Sequence, residues 1–190
     1  MMDLQPHLRG ELVELRPLRP EDFDGLFAAA SDPEIWAQHP ESDRWTEPVF
    51  RRYFAGALAS GGAFLVLDAV DGRVIGSTRF HGYDPEKREV EIGWTFLVRS
   101  CWGGPHNGEM KRLLLDHAFR FVDRVIFLIG PDNWRSRRAV EKIGAVLDGT
   151  HRNPDGSESV IYAITRVRPS PAPPPAAGAG PAPHSAPRVR

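Results

Sequence analysis

Cysteine is almost missing from this chain: Cys101 stands alone among 190 residues, so no disulfide can close within one copy. That usage fits a reducing, cytoplasmic setting. Long apolar runs are missing too. No stretch approaches the roughly 18 uninterrupted apolar residues of a spanning helix, and residues 1–10 lack the apolar centre of an export signal. Neither sign of charge is in surplus, with 24 Lys and Arg against 25 Asp and Glu and a formal net charge of -1. Without a basic excess little would displace counterions from a nucleic-acid backbone, so neither nucleic acid nor membrane is expected as a partner. Neither H-E-x-x-H nor C-x-x-C occurs, and His81, His106, His117 and His151 lack ligand spacing, so no metal is expected. The serine elbow G-x-S-x-G is absent, and Cys101 has no flanking signature of a catalytic thiol. Covalent catalysis by an enzyme nucleophile therefore has no support.

What is present reads as one folded domain. Hydrophobic residues at 41% and charged ones at 26% give an ordinary globular balance, and the length suits a single core. Proline and alanine dominate the C-terminal end, which cannot bury enough to offset its ordering entropy. We expect a domain over residues 8–167 and a disordered tail over 168–190; the alternative for the tail is a polyproline II ligand.

Hydrophobic periodicity predicts the elements. Residues 11–16 alternate as a strand, and Pro20-Glu-Asp opens a helix through Ala30. Asp32 to Trp36 reads as a helical turn, and Thr46 caps a helix reaching Ala59. Strands over 63–70 and 73–80 flank Asp71-Gly72, a dipeptide suited to a type I′ hairpin. In 88–98 Val90, Ile92, Trp94, Phe96 and Val98 fall on one face and Glu89, Glu91, Gly93 and Thr95 on the other. A helix over 106–122 stripes Met110, Leu113, Leu114, Ala118 and Phe121. The run Val125 to Ile129 reads as a strand buried on both faces. A helix over 133–143 stops at Gly144, and strands over 145–152 and 157–166 flank the turn Asn153-Pro-Asp-Gly156. This order predicts an α/β fold: a mixed, mostly antiparallel sheet flanked by helices.

The chemistry concentrates between Val98 and Lys111, where a strand feeds a glycine-bearing loop that opens a long helix. Unpaired amides and the positive end of the helix dipole make such a junction an anion site, and a phosphate-bearing ligand its natural occupant. Gly108 is followed by Glu109, so the Walker lysine is missing, and no G-x-G-x-x-G can be read.

Glu91-Ile-Gly-Trp94, then Trp102-Gly-Gly with Glu109 opening the helix, resembles the pyrophosphate loop of GNAT acetyltransferases. Asn133-Trp-Arg-Ser136, continuing to Glu141-Lys-Ile-Gly144, is similar to that family's asparagine-x-x-serine helix. The branch most resembled is that of ribosomal-protein N-terminal acetyltransferases. The resemblance implies a GNAT fold with a splayed sheet, and acetyl-CoA as co-substrate. It implies that the backbone of Phe96, Leu97 and Val98 pairs with pantetheine, and that Trp102, Gly103, Gly104, His106, Asn107 and Gly108 wrap the pyrophosphate. Asn133 and Ser136 would lie near the thioester. Pro105 stands where many relatives carry glycine, and removes one N–H from the loop.

Acetyl transfer needs a neutral amine and a protonated or hydrogen-bonded thiolate. Glu91 is the candidate base and Ser136 the candidate donor to the thiolate. Each has a plainer reading: a solvated or paired strand carboxylate for Glu91, a first-turn serine for Ser136, a helix cap for Asn133, core for Trp102. Arg135, Arg137 and Arg138 face solvent or bind the coenzyme's phosphates. The acceptor is a protein N-terminal α-amine or a small-molecule amine, and the protein a monomer or homodimer. The alternative function is a non-catalytic acyl-CoA-binding sensor or scaffold.

Overall fold

A computed structural model describes residues 1–166; the expected tail over 168–190 lies outside the described residues. One open sheet runs through it, built from β1 (Leu8–Arg9), β2 (Val13–Pro17), β3 (Ala63–Asp68), β4 (Val74–Asp84), β5 (Glu89–Leu97), β6 (Arg124–Ile129), β7 (Val146–Arg152) and β8 (Glu158–Thr165). The strand order is β1-β2-β3-β4-β5-β6-β8-β7. Every neighbouring pair is antiparallel except β5 and β6. The helices are α1 (Phe23–Ala30), α2 (Pro33–Trp36), α3 (Glu47–Ala59), α4 (His106–Ala118) and α5 (Trp134–Glu141). The sheet is mixed, mostly antiparallel and flanked by helices, as its sequence pattern predicts.

Two apolar clusters hold the layers together. One joins Phe64, Phe80 and Ile92 of the sheet to Met110 and Leu114 of α4. The other joins Leu65 and Phe96 to Leu26 of α1, Trp36 of α2 and Phe50 and Tyr53 of α3. Each of these large side chains contributes about 1.5–3 kcal/mol by leaving water. The chain ahead of β1 packs as well: Met2 is buried, and the carbonyl of Asp3 meets Nε2 of His117 at 2.7 Å.

Local chemistry departs from the sequence pattern in places that matter. The β3–β4 connection is longer than a two-residue type I′ turn, which needs positive φ at both central residues. Here Gly72 has a φ of 73° and Asp71 is not in that region. The side chains of Asp68 and Asp71 instead accept from the N–H groups of Val70 and Arg73. Thr46 sits at the N-cap of α3 but makes no side-chain cap; its hydroxyl donates to the Asp43 carbonyl. Helix α4 ends at Ala118, whose carbonyl takes the N–H groups of both Phe121 and Val122. On its buried face Lys111 joins Met110, Leu114 and Ala118, whereas Leu113 and Phe121 are only partly buried.

The largest departure lies in β5. Between Ser77 and Arg79 of β4 the pairing passes from Phe96 to Gly93, so β5 holds one residue too many for regular alternation. This is a β-bulge, and Trp94 carries its strain with a φ of 50°. The faces exchange there: Val90 and Ile92 enter the α4-side cluster, while Trp94 and Phe96 enter the helix α2–α3 side. Thr95 turns toward α4, where its hydroxyl meets Lys111. At the bulge β4 and β5 approach so closely that a Cβ on Gly76 would collide with the Phe96 carbonyl, hence glycine there.

Candidate functional site

The bulge opens the sheet. Strands β5 and β6 pair only over Glu89–Arg124, Val90–Val125 and Glu91–Ile126, and beyond that they part. The gap continues into a cleft of about 1580 Å³ that reaches the loop before α4, the start of α5 and the α2–α3 connection. Because β6 forms one wall, it is not buried on both faces: Val125, Phe127 and Ile129 are buried, while Ile126 and Leu128 are half-exposed.

At one end lies the glycine loop. A 3₁₀ turn at Arg99–Cys101 leads through Trp102 to Gly103, whose φ of 69° suits only glycine without strain. Pro105 is the N-cap of α4 rather than its first helical residue, and its carbonyl accepts from the Glu109 N–H at 2.9 Å. The amides of His106, Asn107 and Gly108 are therefore the unpaired donors of the helix start. Glu109 turns away from the loop and accepts from the N–H groups of Glu11, Leu12 and Val13, tying the entry to β2 onto α4. Near Gly104 an added Cβ would meet only ordinary contacts, with nothing nearer than 3.8 Å.

Of the residues singled out from sequence, Glu91, Ser136, Phe96, Leu97, Trp102, Gly103, Gly104, Asn107, Gly108 and Asn133 line this one cleft. Val98 and the side chain of His106 do not. The Val98 N–H bonds the Ile75 carbonyl on the β4 side, and the His106 ring points toward Asp68, 3.9 Å away. The Leu97 carbonyl already accepts from the Trp102 indole at 2.8 Å. Asn133 does act as a cap, its Oδ1 accepting from the Ser136 N–H at 3.2 Å. The Ser136 hydroxyl has no hydrogen-bond partner among the described residues.

The arginine group divides. Arg135 does not simply face solvent: its guanidinium donates to the carbonyls of Glu34 and Ile35 and lies 4.0 Å from the Trp102 ring, clamping α5 to α2. Arg137 is held by the Pro131 carbonyl and the Tyr162 hydroxyl. Arg138 is exposed and lines the cleft.

Two buried ionisable groups line the cleft. Burial pushes the Glu91 carboxyl up to about 7, against the pull of the Arg79 guanidinium and the Leu128 N–H. Lys111, which the sequence reading passed over, is buried; its ammonium donates to Thr95 Oγ1 at 2.8 Å and lies 5.4 Å from the Phe127 ring. Burial pushes it down to about 7. Its signal was in the sequence, a lysine in register with Leu114 and Ala118 on the apolar stripe. Among the described residues no group of His, Cys, Asp and Glu could hold a metal ion.

Comparison with known proteins agrees with this architecture. Residues 13–146 match the model of the Acetyltransferase (GNAT) domain. A candidate acetyltransferase from T. thermophilus is similar at 31% identity, over 87% of this chain and 92% of that one, with a TM-score of 0.70. A GCN5-related N-acetyltransferase from Brucella melitensis shares the fold at 24% identity, over 85% and 79% of the two chains, with a TM-score of 0.75. Mycobacterium smegmatis RimJ, solved with CoA-disulfide, shares it at 22% identity, over 87% and 90%, with a TM-score of 0.65. No curated protein sequence matches this chain. The glycine loop, the parted strands and these likenesses agree, and the chain belongs to the GNAT acetyltransferase family.

Proposed function

We propose that this protein moves the acetyl group of acetyl-CoA onto a primary amine by direct attack within a ternary complex. The observation that carries this is the parting of β5 from β6 beside a glycine loop at a helix start, within one continuous cleft. The amides of His106, Asn107 and Gly108, with the turn at Gly103 and Gly104, suit a pyrophosphate. Pantetheine would then lie in the gap along Phe96 and Leu97. The Leu97 carbonyl is engaged by Trp102, so the N–H side of the strand is what remains to bond it.

Chemistry follows from the two walls. Glu91, with its carboxyl held near neutrality, takes the proton of the attacking amine. The amine nitrogen bonds the acetyl carbon, the C–S bond breaks, and the hydroxyl of Ser136 donates to the departing thiolate. A protein N-terminal α-amine, with a pKa around 7.7–8.0, is partly neutral at physiological pH and needs little help. Small-molecule amines fit the same chemistry.

Calorimetry with acetyl-CoA, followed by thiol release with N-terminal peptides and small amines, tests the proposal. Binding with turnover is expected; binding without turnover for any amine would leave a sensor instead. The loop has its own test. Gly104→Val should keep the melting temperature, since a Cβ finds room there, yet weaken acetyl-CoA binding by about 1–3 kcal/mol by crowding the phosphates. Unchanged affinity in a folded variant would place the diphosphate elsewhere.

A further inference from the structure

The apolar face of α4 carries a charge that the fold does not match. Lys111 is 4% exposed, and its ammonium has one hydrogen-bond partner among the described residues, Thr95 Oγ1 at 2.8 Å. An ammonium holds three N–H donors, so two are left without an acceptor. The Phe127 ring, 5.4 Å away, offers only its face. Burial alone moves the group from its ordinary value, with no carboxylate acting against it. Arg79, the other buried cation near the site, differs in this respect, because it and Glu91 act on each other.

The two parting strands set the position of this charge. Thr95 belongs to β5 and Phe127 to β6, and each lies past the last pair, Glu91–Ile126. The ammonium therefore sits at the gap itself, beside a residue of each strand, and Lys111, Thr95 and Phe127 all line the cleft. Pantetheine running from the glycine loop along Leu97 and Phe96 comes to Thr95 next and to Glu91 last. The thioester then crosses the stretch of β5 to which Lys111 is bonded.

We propose that the Lys111 ammonium donates a hydrogen bond to the carbonyl oxygen of the acetyl thioester and stabilises the negative charge which that oxygen takes as the amine attacks. This rests on the transfer reading above and adds an electrophilic group to it. The nitrogen–carbon bond forms as the carbonyl π pair moves onto oxygen. That pair returns as the C–S bond breaks and the thiolate leaves, and Lys111 keeps its proton throughout. A donor fixed in a wall that excludes water stabilises such an oxygen more than water does.

Carbon-13 NMR of acetyl-CoA labelled at the acetyl carbonyl, bound to the full chain without an amine acceptor, reads this hydrogen bond directly. The carbonyl signal should move downfield on binding to the wild type, and Lys111→Met should cancel most of that move. In turnover Lys111→Met should lower kcat by about 10²–10³-fold and leave the Kd of CoA, which has no thioester carbonyl, within about threefold. Lys111→Gln keeps N–H donors without the charge and should fall between the two proteins in both readings; it decides the matter if the methionine variant fails to fold. A lysine of structural value only would change the melting temperature but not the carbonyl signal. Equal carbonyl shifts in the wild type and the variants, or a kcat within about threefold of wild type, would overturn the assignment and leave the transfer reading standing. Acetyl-CoA bound without turnover of any amine would overturn the transfer reading instead, with the carbonyl shift still deciding the hydrogen bond. Absence of acetyl-CoA binding would overturn both.

Discussion

Replacing Glu91 with glutamine should lower kcat for acetyl transfer by about 10²–10⁴-fold and leave the Kd of acetyl-CoA nearly unchanged. The side chain lies on β5 at the last residue paired with β6, so it stands at the mouth of the gap. Glutamine keeps the shape but cannot accept the amine's proton. Because the carboxyl titrates near 7, wild-type kcat/KM should fall as pH drops through that value. An acceptor amine with a pKa below about 6 isolates this limb, since that amine stays neutral throughout. Glu91→Gln should show no such limb, and a variant within a few-fold of wild type would assign proton removal to water.

Stability should move with the same group. Its carboxyl holds its proton more tightly in the folded chain than in the unfolded one, so the contribution is present below the ordinary value of 4.5 and lost as pH rises through about 7. Glu91→Gln should therefore be the more stable protein at pH 8, by up to about 3 kcal/mol. Melting curves at pH 5 and pH 8 read the difference.

The element order was legible because it rests on periodicity, which short-range sequence carries. Val13 and Leu15, Phe64 and Val66, and Met110 and Leu114 all entered the core their spacing predicts. The exchange of faces at Trp94 was not legible. The string Glu91-Ile-Gly-Trp-Thr-Phe alternates well enough for a regular strand, and the extra residue shows only against the register of β4. The same holds for the site. Glu91, Ser136 and the glycine loop were found as a motif, and the cleft brings them together. Arg79 and Lys111 escaped because a lone charge on an apolar face is ordinarily solvated at its tip, and which tips stay dry depends on distant elements. Here α3 and Trp94 cover Arg79, while the parting of β5 and β6 seats Lys111.

Lys111 carries the second large effect. Lys111→Met should raise stability at pH 7 by about 2–4 kcal/mol, and the melting temperature by roughly 5–15 °C. Burial holds the ammonium near 7 in the fold against 10.5 in the open chain, so between those values the unfolded chain binds the extra proton. Wild-type stability should therefore rise with pH across that window, the full penalty being present below about 7, whereas the methionine variant should show no such rise. Methionine fills a similar volume without a charge, and Thr95 keeps Thr78 as a hydroxyl partner at 2.8 Å. Melting temperatures of both proteins from pH 6 to pH 10 should converge toward the alkaline end. A less stable methionine variant at pH 7 would mean that the amine is better solvated than its burial implies. A stabler one would show a charge kept at a cost in the cleft wall, the pattern of a group retained for the site rather than for the fold.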